Sequence, residues 1–404
     1  MNTSLMILLF GRILTNFSDS FYLVATVWYV KNATNSPLLV GITSAIAILP
    51  ITIQFLYGPI IDRFSKRKIL FFASIGQGFF ISILSILYYS EILWLPVLFL
   101  LMFLSLSFSE ATYPTENALI ERLAMRDKLA KVNSIFSFSY QTLDIICDAI
   151  SGILIAFVGL GVIYISNSVL LILTGLLFFF YLKVPKSPKE QETPTHHFFK
   201  QYKKDFVDGY HVVKEQKTLL SILFGVIGIN VLATMGLAML PVISSSSVKY
   251  GFWLTSMSIG SIVGTILSSR LEKLPLNKIF PFVSLFSGVS WLISMILIDH
   301  YLIPFIFFGL AWFGIAIMGI YIQTLIQVNL PEEYLGTGFS FLSSLLGSLS
   351  PIGYFLGGLL GQLTSSHLVL YLACIGYFGF AVYFCIHPKL KRLGNQLSNP
   401  FEEM

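Results

Sequence analysis

The sequence is poor in charged residues, which make up only 11% of its 404 positions, whereas strongly apolar residues make up 55%. A soluble globular chain carries about 25% charged residues, because most of its surface faces water. A chain with so few charges must turn most of its surface toward lipid, where an unpaired charge costs several kcal/mol. The composition therefore excludes an ordinary soluble protein and predicts a membrane protein.

Cysteine and metal-ligand patterns are equally scarce. Cys147, Cys374 and Cys385 lie inside apolar stretches, with no CxxC pair and no zinc-ligand spacing. No nucleophile–base pair, phosphate-binding glycine loop or metal set appears, so we expect no enzyme, no ATP-driven pump, no cofactor and no metal site. The net charge of +5 is spread over separate short loops, which predicts no nucleic-acid partner.

What the sequence has in abundance is long apolar runs. Each run is long enough to cross a bilayer, and each must be helical, since lipid offers no partner for free backbone N–H and C=O groups. The sequence therefore predicts an all-α membrane protein with twelve transmembrane helices. The predicted spans are residues 5–30, 38–61, 69–90, 92–120, 132–158, 161–184, 218–243, 250–269, 278–299, 301–328, 336–361 and 364–387.

Lysine and arginine are distributed unequally between alternate loops. Twenty-two of the 25 basic residues lie in one set of loops and in the carboxyl-terminal tail, whereas the other set holds only Lys31 and Lys249. Cytoplasmic loops of membrane proteins carry the excess of basic residues. We therefore predict a multi-pass protein of the cell membrane with both termini in the cytoplasm, acting as a monomer surrounded by membrane lipid.

One long hydrophilic segment divides the chain into two halves of six spans. It begins as a stretch rich in proline and lysine, which is typical of a flexible linker. It continues with aromatic residues at helical spacing, which predicts an amphipathic helix on the cytoplasmic membrane surface. The predicted divisions are residues 1–184, 185–217, 218–388 and 389–404.

The two halves resemble each other in the loops that follow spans 2 and 8. GPIIDRFSKRKIL at 58–70 and SSRLEKLPLNKIF at 268–280 align at an offset of 210 residues. Two parallel repeats of six spans are typical of one large class of secondary transporters. The repeat therefore favours a transporter over a channel or a membrane receptor, which is the remaining class that we consider.

The loop after span 2 reads Gly-x-x-x-Asp-Arg-x-Ser-Lys-Arg and resembles the signature loop of the major facilitator superfamily. The stretch PTENAL at 114–119 is similar to the macrolide-efflux type of exporter, a subgroup that also contains siderophore exporters. The resemblance implies twelve helices in two pseudo-symmetric halves and a loop that acts as a cytoplasmic conformational gate. The alternative is that the basic residues of this loop only fix the topology. The matching gate positions are Gly58, Asp62, Arg63 and Arg67.

Ionisable side chains inside predicted spans are candidates for transport, because they are costly in lipid unless they face the protein interior. Span 1 places Arg12, Asn16 and Asp19 at i, i+4 and i+7, hence on one helix face. Asp19 is the candidate substrate or proton site, and Asn16 is expected to line the cavity. The alternative is a structural ion pair between span 1 and a neighbour. In span 4, Glu110 is expected to pair with Arg12, and Glu116 to lie at the membrane interface.

Span 5 offers a second acidic face, because Gln141, Asp144 and Asp148 stand at i, i+3 and i+7. Two carboxylates one turn apart in a low-dielectric site repel each other, so at least one of them is expected to bind a proton. Such a carboxyl group would couple transport to a proton gradient. The alternative is a pair of hydrogen-bonded acids that pack against a neighbouring helix.

The second half of the chain holds almost no charge inside its spans. Its candidates for lining a cavity are the amides Asn230, Gln323 and Gln327 and the aromatic Trp312. An acidic first half and an apolar, amide-bearing second half suit a small molecule with a cationic or polar end and an apolar body. We therefore predict a proton-coupled exporter of amphipathic small molecules such as an antibiotic. Export of an endogenous siderophore or metallophore is the alternative.

Overall fold

The computed structural model of the protein describes residues 3–57, 61, 64–124, 129–184, 214, 216–271, 274–329 and 345–393. Within these residues the regular structure is helical, with no β-strand. The helices named below are α1 (Thr3–Thr34), α2 (Pro37–Thr52), α3 (Lys66–Tyr89), α4 (Leu95–Ser109), α5 (Thr112–Leu123), α6 (Leu129–Tyr181), α7 (Lys217–Ile243), α8 (Ser247–Ser268), α9 (Leu276–Ile296), α10 (Ile303–Asn329), α11 (Ser350–Leu363) and α12 (Ser366–Ile386).

Most of the described helices overlap the predicted spans closely, whereas α2 ends at Thr52, well before the predicted end of span 2 at residue 61. Eight of the helical segments that the structure describes are long and apolar enough to cross a membrane. Predicted span 4 is divided between α4 and α5, and predicted spans 5 and 6 are both contained in α6. The all-α membrane fold is thereby confirmed, and a total of twelve spans is consistent with it. The first part of predicted span 11, the amphipathic helix and most of the linker lie outside the described residues.

A single glycine separates the two spans within α6. Gly159 has φ of 79° and ψ of 164°, a backbone conformation outside the helical region. Glycine adopts positive φ at no steric cost because it has no Cβ atom. A Cβ atom added there would meet nothing within 4 Å, so the backbone conformation alone accounts for the requirement. The break falls between the two runs that the sequence predicts at 132–158 and 161–184.

The helices group into two compact units. In the first unit, α1 and α3 pack against α6, and α3 packs against α4. In the second unit, α7 packs against α11 and α12, and α9 packs against α10 and α12. Each unit is therefore a helical bundle with a core of its own. The first unit comprises residues 1–34, 46–198 and 246–251, and the second comprises residues 35–45, 199–245 and 252–404.

The core of the first unit has an apolar part and a polar part. Nine buried apolar residues, among them Leu8 on α1 and Phe178 on α6, form a cluster near the end of the unit at which α1 begins. Further along α1, the buried face turns polar and includes Arg12, Thr15 and Ser18. The polar stripe that the sequence predicts on this helix thus faces the interior of the bundle.

The core of the second unit is aromatic and closely packed. The Trp291 side chain is fully buried, and its indole nitrogen donates a hydrogen bond to the Leu370 carbonyl oxygen at 3.0 Å. Its ring centroid lies 5.0 Å from that of Phe308. The start of α2 packs against α11 backbone to backbone, because a Cβ atom at Gly41 would lie 2.6 Å from the Cα atom of Gly358. Glycine on both helices permits this approach.

The sequence repeat corresponds to repeated local structure. α3 begins at Lys66 and α9 begins at Leu276, which is the same offset of 210 residues that aligns the two loops. Each helix is preceded by a residue in extended conformation, Ser65 with ψ of 117° and Pro275 with ψ of 138°. The two loops therefore deliver the chain into the following helix in the same way.

Candidate functional site

Asp19 is the centre of a polar cluster inside the first unit. The Gln77 side-chain amide, on α3, donates a hydrogen bond to one carboxylate oxygen. The Ser109 hydroxyl, at the last residue of α4, donates to the other at 2.7 Å. Gln77 is buried, whereas Asp19 is half-buried. Groups from three helices thus meet at one carboxyl group of a half-buried residue, which suits a group that exchanges a proton or a cation.

Glu110 lies next to this group, at the break between α4 and α5. The Gln54 side-chain amide donates to the Glu110 carboxylate at 3.0 Å and to the Glu110 backbone carbonyl oxygen at 3.3 Å. Pro114 explains the second bond. Proline has no N–H to donate to the carbonyl four residues earlier, which is that of Glu110. Gln54 supplies the missing donor, so the break in the helix and the position of the carboxylate have one cause.

Arg12 pairs with Glu116, not with Glu110 as the sequence reasoning expected. Glu116 is 1% exposed, so its side chain is enclosed by protein, and its expected depth at the membrane interface stays a prediction. The Arg12 guanidinium lies 4.5 Å from the centroid of the Tyr113 ring, which adds a cation–π contact. The antiparallel register gives the reason. Asp19 meets Ser109, and two turns along each helix Arg12 meets Glu116.

These acidic groups carry more negative charge than Arg12 balances. Asp19 lies within electrostatic reach of Arg12, Glu110 and Glu116. If all three carboxyl groups were ionised, the set would carry a net charge of −2, which is costly in a low-dielectric interior. Binding a proton or a cation lowers that cost. The arrangement can therefore take up and release positive charge, which is the chemistry that ion-coupled transport requires.

Three polar members of this cluster were missed by the sequence reasoning, namely Gln54, Gln77 and Ser109. Each stands in a predicted span and carries no charge, so a search for ionisable residues passes over it. Amides in apolar spans were a usable signal, since a buried amide needs a hydrogen-bond partner. Asn16 is half-buried on the same helix as Asp19.

For several predicted site residues, the side chain or the whole residue lies outside the part of the chain that the structure describes. Arg67 is described, and its guanidinium lies 5.6 Å from the centroid of the Phe179 ring. The structure carries Gln141, Asp144 and Asp148 on α6, but their side chains lie outside the described set, as does that of Gln327 on α10. The remaining gate positions, Gly58, Asp62 and Arg63, lie outside the described residues.

The second unit contains an apolar cavity with two amide side chains. Its volume is about 310 Å³, and Asn230 on α7 and Gln323 on α10 line it together with aliphatic residues and Tyr377. The Asn230 amide donates to the Leu346 carbonyl oxygen at 3.3 Å. Trp312 lies elsewhere in the unit, with its ring centroid 6.4 Å from that of Phe308. Two of the predicted cavity-lining residues are thus brought together, and Trp312 is not among them.

Among the side chains that the structure describes, no three His, Cys, Asp or Glu gather in a group that could hold a metal ion. The described acidic cluster instead consists of paired carboxyl groups with amide and hydroxyl donors. Donor groups of this kind hydrogen-bond to a carboxylate and stabilise its charge.

Comparisons with known proteins agree over nearly the whole chain. The sequence profile of the Major Facilitator Superfamily matches residues 8–353. The uncharacterized MFS-type transporter YfiS of Bacillus subtilis (strain 168) is 23% identical over 377 residues, covering 89% of this chain and 87% of that protein. Macrolide efflux protein A of Streptococcus pyogenes is 24% identical over 369 residues, covering 86% and 87%. The crystal structure of a D-xylose-proton symporter superposes with a TM-score of 0.69 at 12% identity, covering 96% and 98%. At that identity the likeness shows the fold alone.

Proposed function

Since the chain belongs to the Major Facilitator Superfamily and is therefore a multi-pass membrane transporter, we propose that it exports an amphipathic small molecule in exchange for protons. The membrane is the cell membrane, and both termini lie in the cytoplasm. The loop of Asp62 and Arg63 acts as the cytoplasmic gate in the alternating-access cycle.

The observation that carries the proposal is the state of Asp19. The residue is half-buried, its carboxyl group accepts hydrogen bonds from two neutral donors, and the carboxyl groups of Glu110 and Glu116 lie within electrostatic reach. Neutral donors can serve the charged form and the protonated form of a carboxyl group in turn. Asp19 is thus able to bind a proton from one side of the membrane and release it to the other. The D-xylose-proton symporter is a precedent for proton coupling on this fold.

The substrate is an amphipathic molecule with a cationic amine, of the kind that a macrolide represents. The likeness to macrolide efflux protein A supports this class. The chemistry of each unit, taken separately, agrees with it. The acidic cluster of the first unit attracts a cation, and the apolar cavity of the second unit offers two amides and aliphatic walls to an uncharged body. No observation on the described residues favours a siderophore or metallophore, so the macrolide type takes precedence.

Transport into inside-out membrane vesicles tests the proposal. A radiolabelled macrolide is expected to accumulate when the vesicle interior is acidified, and accumulation is expected to cease when a protonophore collapses the gradient. Asp19→Asn keeps the size and hydrogen-bonding ability of the side chain but cannot be ionised. We expect it to abolish gradient-driven accumulation while substrate exchange without a gradient continues.

Asp299→Asn is the matched control, because Asp299 is exposed and lies beyond the end of α9. It makes the same chemical change at a position without a proposed role, and we expect transport at the wild-type level. Accumulation that persists with the protonophore would contradict proton coupling. A panel of siderophores and cationic drugs in the same vesicles tests the substrate class separately.

A further inference from the structure

A second line of polar side chains begins at Asp19 and runs toward the end of the first unit at which α1 ends. Tyr22 and Thr26 follow Asp19 at i+3 and i+7, so the three side chains share one face of the helix. Tyr22 and Thr26 are both fully buried. Hydroxyl groups are costly on a buried helix face unless they have hydrogen-bond partners. Their alignment with Asp19 therefore calls for an explanation beyond packing.

The first step of this line joins α1 to α4. Ser105 stands one turn before Ser109, whose hydroxyl already bonds to Asp19. α1 and α4 run antiparallel. Ser105, one turn before Ser109, therefore lies beside Tyr22, which stands one turn after Asp19. The hydroxyl oxygens of Tyr22 and Ser105 are both buried, and the Tyr22 hydroxyl lies within reach of the side-chain hydroxyls of Ser105 and Thr26. Burying a hydroxyl group without a hydrogen-bond partner costs about 1–3 kcal/mol, so contacts of this kind are favoured.

The next steps join α1 to α6 and then to α3. The Tyr164 hydroxyl donates to the Thr26 hydroxyl oxygen at 3.3 Å, and Thr26 donates to the Tyr22 carbonyl oxygen at 2.7 Å. The Tyr164 ring centroid lies 6.1 Å from that of Tyr22 and 5.8 Å from that of Tyr88. Tyr164 is fully buried, whereas Tyr88 is half-buried and contacts Tyr29. Hydrogen bonds thus reach Tyr164, and ring contacts lead on from it to partly exposed tyrosines near the ends of α1 and α3.

The charged groups stand at the inner end of this line. Asp19 is within electrostatic reach of Arg12, Glu110 and Glu116, all on the side toward which α1 begins. The members beyond Asp19 are neutral hydroxyls. A hydroxyl can accept a proton on its oxygen and release its own proton on the other side, so a row of hydroxyls transmits a proton without holding a charge.

We propose that Tyr22, Ser105, Thr26, Tyr164 and Tyr88 form a proton relay between Asp19 and the surface of the first unit at which α1 ends. At each step one O–H bond forms and one breaks, so no group is oxidised and none keeps a net charge. The inference rests on the proposed role of Asp19 in proton coupling. It adds that the proton travels inside the helical bundle of the first unit, on a route of its own.

Purified protein in liposomes separates this relay from a packing role. Two quantities are measured with a labelled macrolide, the flux driven by a proton gradient and the substrate exchange without a gradient. Thr26→Val removes the hydroxyl at nearly constant size, whereas Thr26→Ser keeps it. We expect Thr26→Val and Tyr164→Phe to reduce driven flux about tenfold, with exchange unchanged and with Thr26→Ser close to the wild type.

Tyr321→Phe is the matched control, because Tyr321 is a buried tyrosine of the second unit whose hydroxyl also donates a hydrogen bond, to the Ser268 carbonyl oxygen at 3.2 Å. Tyr88→Phe repeats the test at a half-buried position where the fold tolerates the loss more easily. Driven flux as high as in Tyr321→Phe, or an equal loss of driven flux and exchange, would overturn the relay. If Asp19→Asn keeps its proton dependence, the proposed function itself fails, and this result is distinct from the other two.

Discussion

Arg12 and Glu116 illustrate what a buried charge requires of its neighbours. The two side chains are 7% and 1% exposed, so water contributes little to their solvation. Removing one partner of such a pair leaves the other charge uncompensated in a low-dielectric interior, which costs more than the pair contributes when intact. Thr15 also bonds to this region, since its hydroxyl donates to the Arg12 carbonyl oxygen at 3.1 Å. The pair is therefore a sensitive point of the first unit.

Arg12→Met is expected to lower the free energy of unfolding by about 3–5 kcal/mol, because Glu116 is left buried without its cation. The double variant Arg12→Met/Glu116→Gln removes both charges and is expected to regain much of that loss. Thermal unfolding in detergent, followed by tryptophan fluorescence, measures both. The control is Arg392→Met, at an exposed position, which we expect to change little. A double variant no more stable than Arg12→Met alone would argue against the pair.

Contacts between single residues were the feature least predictable from the sequence. Hydropathy and helical spacing gave the inward face of α1, because lipid penalises every charge on that helix. They did not give the partner of Arg12, since an error of one or two turns in depth exchanges Glu110 for Glu116. The neutral Gln54 and Gln77 were missed because nothing in their spacing distinguishes a bonded amide from one at a span's end. Such pairings depend on the register between helices, which a single sequence does not fix.

At the scale of elements, the break between α4 and α5 connects a proline to an acidic side chain. Without Pro114 the two helices would continue through Glu110, and the carbonyl of that residue would accept a normal helical hydrogen bond. With proline in place, Gln54 donates to this carbonyl and to the carboxylate as well. The missing backbone hydrogen bond thus holds the Gln54 side chain, which belongs to predicted span 2, beside Glu110.

Gln54→Leu is expected to lower the free energy of unfolding by about 1–3 kcal/mol, because it leaves the Glu110 carbonyl without a donor. Adding Pro114→Ala supplies the missing backbone N–H and is expected to recover part of the loss. Adding Pro96→Ala is not, because Pro96 stands in the first turn of α4, where no N–H is needed. The measurement is the unfolding temperature of the three variants. Equal recovery by both alanines would refute the explanation.

Most helix boundaries could be predicted from the sequence. Lipid forces each long apolar run into one helix, so the runs predict the helices closely. The same runs, ending at 158 and resuming at 161, predicted the break that Gly159 makes. The division of predicted span 4 was not anticipated, because the sequence reasoning treated residues 92–120 as one span although Pro114 and several polar residues lie within it. The gate loop and the amphipathic helix stay predictions, since they fall outside the described residues.

At the scale of the whole molecule, charge bias sets the expected orientation in the membrane. Basic residues are 22 to 2 in favour of one set of loops, and basic residues near span ends resist translocation. In the second unit, the exposed loop residue Leu274 lies between α8 and α9, on the side expected to be cytoplasmic. In the first unit, Ser90 lies between α3 and α4, on the side expected to be external. The two loops are therefore expected to lie on opposite faces of the membrane.

Cysteine labelling in intact cells tests this orientation. In a chain in which Cys147, Cys374 and Cys385 are replaced by serine, Ser90→Cys and Thr364→Cys are expected to react with a membrane-impermeant maleimide. Leu274→Cys and Lys389→Cys are expected to react only after the cells are permeabilised. All four positions are exposed, so access to the reagent is limited by the membrane and not by packing. Ser90 samples the first half of the sequence and the other three positions sample the second half and the tail. One span too many or too few between the halves would therefore place Ser90 on the same side as Leu274, and an inverted chain would reverse all four results.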